Sequence, residues 1–304
     1  MFIKKIGLIG LGVIGSPIAH KLWLKYKNDF CILASGEFKS LLTSSEILIN
    51  ETKFEPAIIE KKEELGKTLD LIIVCVKNYH LENVVRDIIN VIDENTIILP
   101  LQNGLYSYEF FKRKFPNNVV LHGYMQGPNT EIDGNIIKYE NPGEVHVGSN
   151  SNPGLAIKVY NILNDAEFPV KFENDIVYMV WKKWMLNVAG NSVTALTGAD
   201  YSMFKTSEEL VAVCRQAMEE FLMIAQANDV DLTKKDIDDI MKYFTTYKGS
   251  KKTSMLEDVI NKRKTENEFL AGYAVEIARK HDVKVPIIES LNNLVAIQEL
   301  MYLN

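Results

Sequence analysis

At 304 residues, with 47% hydrophobic and 24% charged residues, the chain has the make-up of an ordinary soluble protein and is long enough for two cores. Its net charge of -6 argues against nonspecific nucleic-acid binding, which needs a basic surface, but leaves room for a small anionic substrate in a locally positive cleft. No apolar stretch approaches the ~20 residues that span a bilayer, and the three cysteines, Cys31, Cys75 and Cys214, show no pairing or metal-ligand spacing.

In chain order, Ile6 to Ile9 forms a short strand, followed at once by Gly10-Leu11-Gly12-Val13-Ile14-Gly15 and then a helical pattern through Ile18, Ala19, Leu22 and Trp23. Strand, G-x-G-x-x-G and helix in that order is the context of a dinucleotide-binding turn. Gly10 permits the tight turn, Gly12 lets the backbone approach a pyrophosphate, Gly15 allows helix to pack on strand, and the helix N-terminus faces the anion. Lys4 and Lys5 ahead of this apolar run resemble the start of a signal peptide. The interrupting glycines and the lack of a cleavage site argue instead for a cytoplasmic protein.

A second strand, Phe30 to Ala34, ends where an adenosine ribose would lie. Ser35, Gly36, Glu37 and Lys39 follow it. A serine can bond a phosphate and a glutamate can hold a ribose diol, so these residues leave the choice of dinucleotide open. Leu71 to Val76 is a continuous apolar run, as for a strand covered on both faces, with Lys77 at its C-terminal end. Thr96 to Leu101 is the next strand, and Gln102-Asn103-Gly104 opens the loop after it. Lys77 and this loop both belong to the sheet edge where open α/β folds bind ligands, although a lysine ending a strand is often only a solvated cap and Asn-Gly is equally a turn signal. Further strands are expected at 119–121, 136–139, 144–147 and 170–172.

Beyond about Glu173 almost everything reads as helix. The fold class is therefore α/β: a Rossmann-type dinucleotide-binding domain over residues 1–172, then an all-α domain over 173–304. In Trp181 to Leu196, Lys183, Asn187 and Asn191 are spaced four apart along one face of an otherwise apolar helix. A lysine and two carboxamides there would be costly to bury without partners, so this face is expected to line a polar-ligand cleft. The alternative is that Lys183 snorkels to solvent. Thr206 with Glu209, Ser254 with Glu257 and Thr265 with Glu268 fit capping boxes, which leaves Glu266 outside that pattern, open either to a functional role or to a structural one as an acid favoured by the helix dipole in a first turn. The last stretch, Ile287 to Tyr302, carries apolar residues at helical spacing and could serve a homodimer or its own subunit.

Taken together, GLGVIGS, VCVKNYH, LQNGL, WKKWMLNVAGNSVTAL, TSMLEDV and KRKTENEF resemble the ketopantoate reductase (2-dehydropantoate 2-reductase) family over nearly the whole chain. The resemblance implies a Rossmann domain, a helical domain and an active site between them. It implies reduction of ketopantoate to pantoate with NADPH, NADH being the alternative, on the way to pantothenate and coenzyme A. It implies Lys183 as general acid and Glu266 as the group holding the substrate hydroxyl, with no metal. Asn187, Asn191, Ser254 and Asn103 match substrate contacts. Gly10 to Gly15, Ser35, Lys77 and Asn103 match the cofactor side.

Three positions depart from the family pattern. Ser192-Val193 stands where a proline-leucine pair is usual, Lys251 where asparagine is frequent, and Ser35 where users of NADP often carry a basic residue. The first two favour a relative that reduces another small 2-keto acid. A dinucleotide sensor without chemistry is the rival from another class, and it would have no use for Lys183 and Glu266.

Overall fold

The computed structural model describes residues 3–303. The chain forms two compact units: residues 1–102 with 107–177, and residues 103–106 with 178–304.

The first unit is built on a five-stranded, wholly parallel sheet with the spatial order Ala57–Ile59, Phe30–Leu33, Ile6–Ile9, Leu71–Val74, Ile97–Pro100. The order reverses at the first strand, the switch point at which doubly wound sheets take their ligands. In four of the five strands every residue is buried. That explains why they read as unbroken apolar runs, whereas the edge strand Ala57–Ile59 is largely exposed or half-buried and was not legible as a strand. Pairing ends earlier than the apolar runs suggest, at Val74 and not Val76, so Lys77 lies in a loop and opens a one-turn 3-10 helix, Asn78–His80. The expected strand at 119–121 is reduced to one bridge between Ile98 and Val120.

Two smaller sheets complete the unit. One pairs Thr52–Lys53, Leu48–Ile49, Ile136–Asn141 and Asn129–Asp133; the other pairs Val170–Phe172, Glu144–Gly148 and His122–Gln126. Thr130, in the first of these, donates from its hydroxyl to the carbonyl of Val13 at 3.1 Å. The hairpin is thereby tied to the glycine turn.

The second unit is helical: Ile176–Leu186 leads into it, followed by Ser192–Thr197, Glu208–Ala227, Lys234–Thr246, Ser254–Ile260, Ala271–Lys280 and Pro286–Leu303. Helix Glu208–Ala227 is its axis, burying Cys214, Ala217, Met218, Phe221, Ile224 and Ala225. Glu220, buried on this helix, accepts from the backbone N–H groups of Ile287 and Ile288 at 2.9–3.0 Å, so one carboxylate holds the otherwise unsatisfied start of the last helix. No helix among the described residues is long and apolar enough to cross a membrane.

Candidate active site

The glycine turn behaves as its residues require. Gly10 has φ +100°, and a side chain there would come within 2.8 Å of the backbone at Cys75 and Val76. A Cβ on Gly15 would lie 1.8 Å from the carbonyl of Gly10, so helix Gly15–Tyr26 can start this close to the strand only without one. Gly12 is different: a Cβ there would meet nothing within 4 Å. The protein itself does not demand glycine at that point, but an anion seated over the backbone would. The helix has no acidic residue in its first turn and no side-chain cap, and the hydroxyl of Ser16, fully buried, has no partner among the described residues. An unused hydroxyl and a positive dipole end suit a pyrophosphate. Ser16 was not singled out in the sequence, although it directly follows the last glycine.

Because Phe30–Leu33 and Leu71–Val74 both run parallel to Ile6–Ile9, Ser35 and Lys77 follow strand ends on the same edge as this turn. Ser35 has extended backbone and precedes helix Gly36–Ser44 without capping it through its side chain. Gln102 closes the loop after Leu71–Val74 by donating to the carbonyls of Val74 and Val76 at 3.1 and 2.9 Å.

In the helical unit, the expected continuous helix over Lys183, Asn187 and Asn191 is a correction. An α-helix ends at Leu186, a π-helical turn spans Asn187–Asn191, and α-helix resumes at Ser192. Residues four apart overshoot a 3.6-residue turn by about 40°, so a stripe at that spacing winds round a regular helix. The wider i→i+5 turn takes more residues per revolution and reverses the drift, which keeps Asn191 near the line of Lys183. Gly190 makes the wide turn compatible with its neighbour: a Cβ there would lie 2.7 Å from the ring of Phe244. Asn187 and Asn191 are buried, and among the described residues the Asn187 amide nitrogen has no hydrogen-bond partner. The Ser192 hydroxyl, also buried, is likewise unmatched.

Lys183 donates to the side-chain oxygen of Asn103 at 3.1 Å, the segment Asn103–Tyr106 belonging to this unit. The lysine as a whole is half-buried, yet loss of water around its ammonium pushes its pKa down to about 7, with the negative charge of Glu266 acting the other way. Glu266 is itself buried and starts the 3-10 turn Asn267–Phe269; its carbonyl accepts from Phe269 and Leu270 at 3.0 Å. Trp184, fully buried, donates from its indole to the carbonyl of Leu270 at 3.2 Å and stacks on Tyr273. This pins the turn carrying Glu266 to the helix carrying Lys183. The structure thus brings Lys183, Asn103 and Glu266 together.

Ser254 does not cap its helix, contrary to the capping-box reading. Thr253 is the cap, accepting from Leu256 at 3.2 Å, and its hydroxyl meets that of Thr194 at 2.7 Å. Ser254 is the exposed first residue of the helix. The other two boxes shift similarly: Ser207, not Thr206, caps Glu208–Ala227, while Thr265 accepts from Asn267 and not from Glu268. A complete capping box joins Thr233 and Asp236. No cluster of potential metal ligands occurs among the described residues.

A glycine turn at the switch point of a parallel sheet, with a helical unit holding a desolvated lysine, defines a nicotinamide-dependent oxidoreductase of the Rossmann class. Family comparison agrees: residues 6–152 match the ketopantoate reductase PanE/ApbA model, and residues 175–299 match its C-terminal counterpart. The chain belongs to the ketopantoate reductase PanE/ApbA family. It is 25% identical to the 2-dehydropantoate 2-reductase of Aquifex aeolicus across 99% of both chains. In fold it is similar to a D-mandelate dehydrogenase solved with NADH and anilino(oxo)acetate (TM-score 0.86, 20% identity, 99% of this chain and 100% of the other). It is also similar to a dimeric ketopantoate reductase from Staphylococcus aureus (TM-score 0.81, 21% identity, 98% and 99%).

Proposed function

We propose that the chain reduces a small branched 2-keto acid, 2-dehydropantoate foremost, to the corresponding 2-hydroxy acid, the pantoate used for pantothenate and coenzyme A. The observation that carries this reading is an ammonium poised to lose its proton near neutral pH, beside a buried carboxylate and a carboxamide. The reduced nicotinamide supplies the hydride when bound. Charge then grows on the substrate's carbonyl oxygen, and the Lys183 ammonium neutralises it by giving up a proton to form the hydroxyl. The amide of Asn187, buried with an unused donor, and Asn191 and Ser254 are the substrate-binding groups of this reading. Glu266 accepts a bond from the substrate's own hydroxyl and so disfavours keto acids that lack one.

Lys251 and the Ser192-Val193 pair support a second reading, a related enzyme for another 2-keto acid. A homodimer is part of the proposal: the last helix exposes Leu294, Ile297, Leu300 and Met301, an apolar stripe at helical spacing of the kind that pairs with a second copy. The deciding assay follows NADPH and NADH oxidation separately with 2-dehydropantoate and a panel of branched and aryl 2-keto acids. Turnover of 2-dehydropantoate that Lys183→Ala lowers by roughly 10²-fold or more supports the reading. A preference for another keto acid transfers it to the second. No turnover of any of them, with dinucleotide still bound, leaves the sensor.

A further inference from the structure

The residues after the second strand, where a dinucleotide's adenosine ribose would lie, carry more information than their identities alone. Ser35 to Ser44 contain one basic side chain, Lys39, and one acidic one, Glu37. Strand Ala57–Ile59 lies beside Phe30–Leu33 in parallel register, so the residues after it, Glu60 to Glu64, emerge at the same edge. Lys39 Nζ is 3.0 Å from Glu64 Oε2 and 3.5 Å from Glu60 Oε2. Glu64 is not a loose partner: its Oε1 accepts from the backbone N–H groups of Glu60 and Lys61 at 3.2 and 3.0 Å, and against desolvation the bond from Lys39 first, then these two, hold its carboxylate below the usual range. The lysine is thus engaged by one anchored carboxylate and approached by a second. By sequence alone, stretches 35–44 and 60–64 together carry no net positive charge. Glu37, Glu60, Glu63 and Glu64 outnumber Lys39, Lys61 and Lys62.

A ribose 2′-phosphate brings about two negative charges and needs a cation; a 2′-hydroxyl needs only an acceptor. The N-terminus of helix Gly36–Ser44 favours an anion modestly, but Glu37 already stands in its first turn. We propose that this chain selects the unphosphorylated dinucleotide, NADH, with Glu37 reading the ribose 2′-hydroxyl and the Glu64–Lys39 pair withholding the cation that a 2′-phosphate requires. The inference rests on the reading that the glycine turn holds a nicotinamide dinucleotide, and on nothing about the keto acid.

Calorimetric titration of the intact protein with NADH and with NADPH, without substrate, tests it. NADH should bind about tenfold or more tightly, a ratio that narrows as salt screens the carboxylates. Glu37→Gln should lower the ratio several-fold. Glu60→Gln with Glu64→Gln keeps acceptors for the backbone N–H groups while releasing Lys39, and should strengthen NADPH binding with little effect on NADH; adding Lys39→Ala should cancel that gain. Thermal unfolding of each variant without dinucleotide checks that it is folded. Equal or tighter binding of NADPH by the parent protein, or a ratio unmoved by Glu37→Gln and by release of Lys39, overturns the proposal alone. Binding of neither dinucleotide overturns the dinucleotide reading and this inference together.

Discussion

Lys183 hands a hydrogen bond to the side-chain oxygen of Asn103, a residue eighty positions earlier in the chain, over 3.1 Å. An ammonium only donates, so the bond fixes which way the Asn103 amide faces. It also gives the lysine a neutral partner, which orients it without adding the charge that would hold its proton more tightly. The charge nearby comes from Glu266, and it offsets desolvation only in part.

On the proposed reading, Lys183 should therefore titrate in the measured rate. Only the protonated lysine can supply a proton to the forming hydroxyl, so in the reductive direction kcat/KM should be flat at acid pH and fall above about pH 7. The limb in kcat should lie at higher pH, because a bound substrate carboxylate favours the charged ammonium. Lys183→Arg, which stays protonated throughout, should lose this limb along with most of the activity. A flat profile from pH 6 to 9 in the parent enzyme would exclude Lys183 as the acid.

Replacing Asn103 tests the positioning role. Asn103→Ala removes an acceptor that favours the charged lysine, so the pH limb should move toward acid and kcat should fall by roughly tenfold. Asn103→Asp adds a negative charge in the same place and should move the limb toward alkali. A loss of rate with no movement of the limb in either variant would assign Asn103 to substrate contact and not to the lysine.

Glu266→Gln should act on two readouts at once. The limb moves toward acid because the favourable charge near Lys183 is gone. The preference for a hydroxylated keto acid over its deoxy analogue, read as the ratio of kcat/KM values, should shrink by at least about tenfold, since a carboxylate is the stronger acceptor. Parallel losses for both substrates would argue that Glu266 serves the lysine only.

Gly190→Ala probes the π-helical turn. The new methyl would have to displace the Phe244 ring, which is fully buried and stacked on Phe204. Overpacking of this kind costs about 1–3 kcal/mol, measurable as a lowered denaturant midpoint. Phe244→Leu in the same chain should recover part of that loss. If Gly190→Ala is as stable as the parent, the close approach of Gly190 to the ring is not what the turn depends on.

How much of this could be read from the chain depends on how local the cause is. The four fully buried parallel strands announced themselves as apolar runs because both faces of each are covered, and the glycine turn because its backbone geometry is set within six residues. The π-turn was hidden: its residues have the composition of an ordinary helix, and what accompanies it is the ring of Phe244, far along the chain. Ser254 lost its capping role to Thr253 for a similar reason, since two neighbouring hydroxyls look alike until packing fixes which one reaches the backbone. Residue types and spacing determined by themselves that a dinucleotide turn precedes a helical half bearing a lysine, two asparagines and a glutamate. Only the tertiary structure decided that Asn103 and Glu266 converge on that lysine, that burial brings it to the edge of deprotonation, and that Lys39 is already engaged by Glu64. Proximity, desolvation and charge pairing belong to residues distant in sequence, and the chain must fold before any of them exists.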